Sequence, residues 1–211
     1  MVTLPTAWGA SSPSVSQQRA DFLAAERALA KNHRAKFTAL LRKLRHYPLY
    51  PHLIAADLSE RLPHVEPTEL WDFLHTFGGT VPAMELRAQW LNYLFSADRW
   101  GEFLAAYQPT NDTSMECRYR WALLQSGAPE NAFNGLAYYW MTGRDANGVC
   151  NRLFATWRAV GGLSDALIWE RLRNAIDQGA LDFARHIAGE YLDVETQAGV
   201  ELWIHAYSQP R

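Results

Sequence analysis

Glu66, Glu69 and Asp72 fall on the first turns of one expected helix, with His75 one turn further on, and by residue type they are the closest approach to an acid–base set. Neighbouring carboxylates and an imidazole can exchange protons with a substrate. The helix dipole alone favours the same placement, with acids in the first turn and histidine towards the end. They are therefore assigned to helix stability, and no catalytic residue is expected. His52, His64, His186 and His205 lack metal-ligand spacing, so no metal is expected. Gly-x-Ser-x-Gly, Gly-x-x-x-x-Gly-Lys, the dinucleotide fingerprint, His-Glu-x-x-His and Cys-x-x-Cys are all absent from the sequence, and no cofactor is expected.

Three other groupings carry possible chemistry. Between Glu26 and Asp57 there is no acid, while Arg27, Lys31, Arg34, Lys36, Arg42, Lys43 and Arg45 accumulate on what reads as the first helical hairpin. Lys36, Arg42, Lys43 and Arg45 are the core of a patch suited to an anionic polymer; a solvated helix face is the plain alternative. The second grouping is Cys117 and Cys150, 33 residues apart and each near the start of an expected helix. They can form a bridge if their Cα atoms come within about 7 Å, or remain two buried thiols. The third is the aromatic content, nine Trp and nine Tyr. Trp90, Trp121 and Trp157 fall with Leu172 on apolar stripes and are read as packing residues.

The elements that must position these residues are helical. The 211-residue chain is 48% hydrophobic and 20% charged with a formal charge of −2, an ordinary globular composition that offers no overall positive field for nucleic acid. No run approaches the roughly 18 apolar residues of a membrane-spanning helix. Apolar residues recur at helical spacing from Ser14 onward, in about twelve helices separated by short Gly, Pro and Asn/Asp clusters. Ser14-x-x-Gln17 and Thr113-x-x-Glu116 read as capping boxes, and Asp98, Ser164 and Asp193 as helix starts. One helix is expected from Pro129 to Gly143. Along the helix opened by Thr80 and Pro82, Leu86, Trp90, Tyr93 and Leu94 form one stripe and Met84, Leu91 and Phe95 another. Hairpins of roughly 30–35 residues have the size of solenoid repeats, so the expected fold is an all-α superhelix (α-solenoid) of antiparallel helical hairpins. Residues 1–13 read as a flexible tail or the remnant of a signal peptide.

Tyr47-Pro-Leu-Tyr-Pro-His-Leu53, Cys117-Arg-Tyr-Arg-Trp121, Trp140-Met-Thr-Gly143 and Cys150-Asn-Arg-Leu-Phe-Ala-Thr-Trp157, followed by Leu172-Arg-x-Ala175 and Gly179, occur in order. In these strings and their spacing, the chain resembles the N-terminal region of the soluble lytic murein transglycosylases, from about Ser14 to at least Tyr191. The resemblance implies a periplasmic protein whose U-shaped superhelix joins a linker domain and a lysozyme-like catalytic domain in a ring around peptidoglycan glycan strands. It also implies a disulfide between Cys117 and Cys150. In that family the MurNAc–GlcNAc bond is cleaved without hydrolysis, giving a 1,6-anhydro end, by one glutamate in a Glu-Ser motif followed downstream by Gly-Leu-Met-Gln. Neither string occurs here. The expectation is thus residues 14–211 as an incomplete U-shaped domain without the catalytic one, its last helix lacking a neighbour. The partners expected are glycan strands and the linker and catalytic domains of a parent enzyme. A freestanding helical-repeat adaptor that binds a protein partner is the alternative.

Overall fold

The structure, a computed structural model, describes residues 14–142 and 148–208. The expected tail over 1–13 and the expected helix stop at Gly143 lie outside the described residues. Among those described the chain is entirely helical, as expected, with thirteen α-helices and one short 3-10 turn. The helices cluster into two compact units, one up to Tyr93 and one from Leu94.

The first unit contains α1 (Val15–Ala30), α2 (Arg34–Lys43), α3 (Tyr50–Glu60), a 3-10 turn at Leu62–His64, α4 (Pro67–Phe77) and most of α5 (Val81–Ser96). Ser14 caps α1 as expected, its hydroxyl accepting from the Gln17 amide, and Pro67 occupies the first turn of α4. The α1–α2 hairpin buries Phe22, Ala25, Leu29, Phe37 and Leu40, and Leu53 of α3 joins the same core. The Tyr-Pro-Leu-Tyr-Pro stretch reaches two helices. Tyr47 packs on Phe22 of α1 at 5.7 Å between ring centroids, and Tyr50 stands edge-on to Phe77 of α4 at 6.2 Å. Along α5, Leu86, Trp90, Leu91 and Leu94 are buried, but Met84 is exposed, so the second expected stripe is covered only in part.

The second unit follows with α6 (Trp100–Ala106), α7 (Thr113–Gln125), α8 (Pro129–Phe133), α9 (Leu136–Thr142), α10 (Val149–Ala159), α11 (Asp165–Asp177), α12 (Leu181–Tyr191) and α13 (Val194–Ser208). Ser164 and Asp193 cap their helices as expected, through the amides of Leu167 and Thr196. Three local expectations are corrected. The helix expected over Pro129 to Gly143 is broken, because Asn134 is extended and Gly135 takes φ +68°, a backbone that a side chain disfavours. The cap of α7 is Asp112, whose carboxylate accepts from the Ser114 and Met115 amides, so Thr113 is already helical and Glu116 is released from capping. Arg99, not Asp98, is the residue before α6, and Asp98 instead ends α5 with φ +54°.

The core of this unit centres on Trp140, fully buried with Leu153, Phe154, Ile168, Leu172, Ile176 and Ile187 around it. Its indole N–H donates to the Leu167 carbonyl at 3.0 Å, and its ring meets Phe154 and Tyr191 edge-on near 5 Å. Arg171, only 6% exposed, lays its guanidinium 4.1 Å from the Trp140 ring centroid and 4.8 Å from that of Phe183. In so dry a setting each such contact contributes up to about 2 kcal/mol. After α10, Gly162 leaves room for Trp157: a β-carbon there would lie 2.0 Å from the indole nitrogen. Trp121, Trp157 and Leu172 are buried, as their stripes require.

Candidate functional site

The basic run divides once it is folded. Arg34 is drawn to Asp57 and Glu60 at the end of α3, and Asp57 also accepts from Arg61 at 2.8 Å. Lys36, Arg42 and Lys43 on α2, with Arg45 in the turn after it, are all exposed. A shallow hollow of about 250 Å³ lies where Arg27 of α1 and Lys31 just after it face His33 and Lys36, floored by Ala24 and Ala28. Small residues at 24 and 28 let the two helices approach, and basic side chains fill the rim. The arrangement offers screened attraction for anions rather than a shaped pocket.

The acid cluster does not form a site. Glu69 is bound by Arg61 at 2.7 Å, while Asp72 and His75 point to open solvent. The hydrogen bonds that Arg61 donates to Glu69 and Asp57 hold its pKa above the ordinary value. His52, His64, His186 and His205 are exposed, and among the described residues no group of His, Cys, Asp and Glu is arranged to hold a metal ion.

Cys117 and Cys150 are joined by a disulfide with Cα atoms 5.2 Å apart. The bond ties the second turn of α7 to the first turn of α10, and the two helices pack against each other. These are three helices apart rather than two, because the Asn134–Gly135 break inserts one. Beside the bridge, Glu116 is 9% exposed. Its Oε1 accepts from the Tyr107 hydroxyl and its Oε2 from the Tyr139 hydroxyl at 3.1 Å. Tyr107 stacks on Tyr119 at 4.1 Å, and the Arg120 guanidinium lies 4.8 Å from the Tyr139 ring centroid while donating to the carbonyls of Ala132 and Asn134. Burial, reinforced by hydrogen bonding to the Glu116 carboxylate, raises the pKa of both Tyr107 and Tyr139.

Glu116 therefore meets one requirement of single-carboxylate glycan cleavage, burial, and fails another. A general acid needs an oxygen within hydrogen-bond reach of the glycosidic bond, and here each oxygen is engaged by a tyrosine of the same unit. The cluster fixes the disulfide corner. It escaped notice in the sequence because Thr113-x-x-Glu116 has the form of a capping box and its donors lie 9 residues before and 23 after. The preceding Asp112 was the available signal.

No family model matches the chain. It is 26% identical over 182 residues to the soluble lytic murein transglycosylases of Escherichia coli K12 and of Salmonella typhimurium, a match that takes in 86% of this chain and 28% of theirs. The crystal structure of the 70-kDa soluble lytic transglycosylase of E. coli superposes with a TM-score of 0.80 at 25% identity, over 94% of this chain and 32% of that one. That enzyme in complex with bulgecin A gives 0.79. An inactive mutant of the lytic transglycosylase Slt from Pseudomonas aeruginosa gives 0.77 at 28% identity, over 90% of this chain and 31% of that one. The helices, their order and the sequence agree, and the chain is homologous to soluble lytic murein transglycosylase while spanning 28% of that relative's length.

Proposed function

We propose that this chain is a non-catalytic scaffold region of a periplasmic soluble lytic murein transglycosylase, part of a U-shaped superhelical wall that holds peptidoglycan glycan strands for a separate catalytic domain. The observation that carries this reading is the match of 86% of the chain to 28% of the relatives, over helices whose one buried glutamate is occupied by two tyrosines. The parent reaction is non-hydrolytic cleavage of the MurNAc–GlcNAc bond. The disulfide supports an oxidising compartment, and among the described residues no helix is long and apolar enough to cross a membrane. Lys36, Arg42, Lys43 and Arg45 supply nonspecific attraction for carboxylate-bearing cell wall.

A peptidoglycan zymogram tests the reading. The purified chain should leave no lysis band yet pellet with isolated sacculi, and pelleting should weaken with salt. A lysis band, or no pelleting at low salt, overturns it. One observation favours a protein-binding adaptor instead: α13 exposes Leu202, Trp203 and Tyr207. Recovery of a single protein partner, without glycan, from a periplasmic extract would support that alternative.

A further inference from the structure

Among the described residues, five helices end in the same way. At Asn32, Asp98, Gly127, Gly161 and Gly179 the backbone turns left-handed, and the amide of that residue and the one after it close the helix onto carbonyls three and five residues back, respectively. Thus Asp98 N–H donates to the Phe95 carbonyl and Arg99 N–H to that of Leu94, just as Asn32 and His33 donate to Leu29 and Ala28. Glycine is the residue this position favours, and asparagine the next. Aspartate is the outlier among the five. Its negative charge is unfavourable at the C-terminal end of the α5 dipole and favourable at the N-terminal end of α6, which begins two residues later, so the two effects oppose each other.

Asp98 lines a hollow of about 410 Å³ within the second unit, inside the roughly 300–1,000 Å³ range of small-molecule sites. Three aromatic side chains, Phe95, Trp100 and Trp121, line it together with Ser96, Asp98, Gln125 and Arg152. Phe95 and Trp100 meet edge-on at 5.3 Å and keep part of their surface open, and Trp121 lies behind the Arg152 guanidinium, 4.3 Å from its ring centroid. Gln125 completes the rim. The site thus presents flat apolar faces beside a carboxylate, a carboxamide and a guanidinium.

We infer that this hollow is a saccharide-binding pocket that takes a sugar unit of an N-acetylated glycan. The C–H face of a pyranose lies against an indole, a carboxylate accepts from two adjacent hydroxyls at once, and a guanidinium or carboxamide donates to ring and acetamido oxygens. A phosphorylated ligand would meet the Asp98 charge. An aliphatic one would bury that carboxylate unpaired. The inference deepens the proposed role in holding glycan strands and rests on it for the choice of sugar, but not for the existence of the pocket.

The test is titration of the 211-residue chain with N,N′,N″-triacetylchitotriose, followed by the tryptophan indole N–H resonances and by calorimetry. The Trp100 and Trp121 resonances should shift and saturate. Asp98→Asn, which retains a residue suited to the left-handed turn as Asn32 does at α1, should keep the melting temperature and weaken binding at least tenfold. Trp100→Ala should weaken it similarly. The pocket is refuted if neither resonance moves up to about 10 mM sugar, or if Asp98→Asn binds as the unaltered chain does. Sacculus pelleting separates the two claims. Pelleting with a silent pocket removes the pocket and leaves the scaffold reading, whereas a responsive pocket without pelleting does the reverse.

Discussion

Arginine does different work on the two sides of Tyr93. In the first unit Arg34 and Arg61 gather around Asp57, Glu60 and Glu69 at the end of α3, in half-exposed ion pairs. The second has such pairs too, from Arg99, Arg158 and Arg185, but there Arg118, Arg120, Arg152, Arg158 and Arg171 also lie over aromatic rings, in a unit that holds a disulfide and a buried carboxylate. Exposed pairs are screened and contribute little. Layered guanidinium and indole planes remove apolar area from water and resist sliding. The second unit is therefore expected to be the more rigid, held by specific contacts, while the first depends on ordinary apolar packing.

The largest effect should come from the bridge. Cys117→Ala with Cys150→Ala is expected to lower unfolding free energy by about 3–4 kcal/mol on the chain-entropy model. Hydrogen exchange should show the lost protection in α7 to α10 and leave α1 to α4 unchanged. Equal loss in both units would show that they unfold as one and would break the comparison. Next, Tyr107→Phe removes a donor from a buried carboxylate and should cost about 1–3 kcal/mol in denaturant unfolding. A change below about 0.5 kcal/mol would mean that water replaces the hydroxyl and that the corner is wetter than described.

The same tyrosines give a pH signature. Their folded pKa values are raised, so the stability they contribute is complete below the unfolded tyrosine value near 10 and falls as pH rises beyond it, because the unfolded chain loses its protons first. Thermal melts from pH 8 to 11 should show this decline, and Tyr107→Phe should flatten it. The smallest effect is expected in the first unit. Arg34→Ala should cost less than about 1 kcal/mol, and that cost should shrink further in high salt. A larger cost, insensitive to salt, would place Arg34 with the structural arginines of the second unit.

Local rules made the helical class and many of its punctuation points readable before the fold was known. Ser14, Ser164 and Asp193 cap through their own side chains, and the proline in α4 acts within one turn. The misreadings arose where neighbouring residues competed for one role. Asp112 took the cap from Thr113, and Gly135 broke a helix whose apolar pattern continued through it. The disulfide was only permitted by spacing, since residue separation does not give Cα distance; the resemblance to a family supplied the pairing. Glu116 was illegible because its partners converge from α9 and the end of α6. The exposed cations were visible as composition, whereas the neutralisation of Arg34 required knowing where the end of α3 lies.

The covalent tie between α7 and α10 also changes what a single break in the chain can do. Cutting one peptide bond anywhere between Cys117 and Cys150 leaves two polypeptides that cannot separate. Such nicked protein would keep its apparent size on a non-reducing gel and fall into two bands only after reduction. Damage within that interval would be carried silently by the assembled molecule.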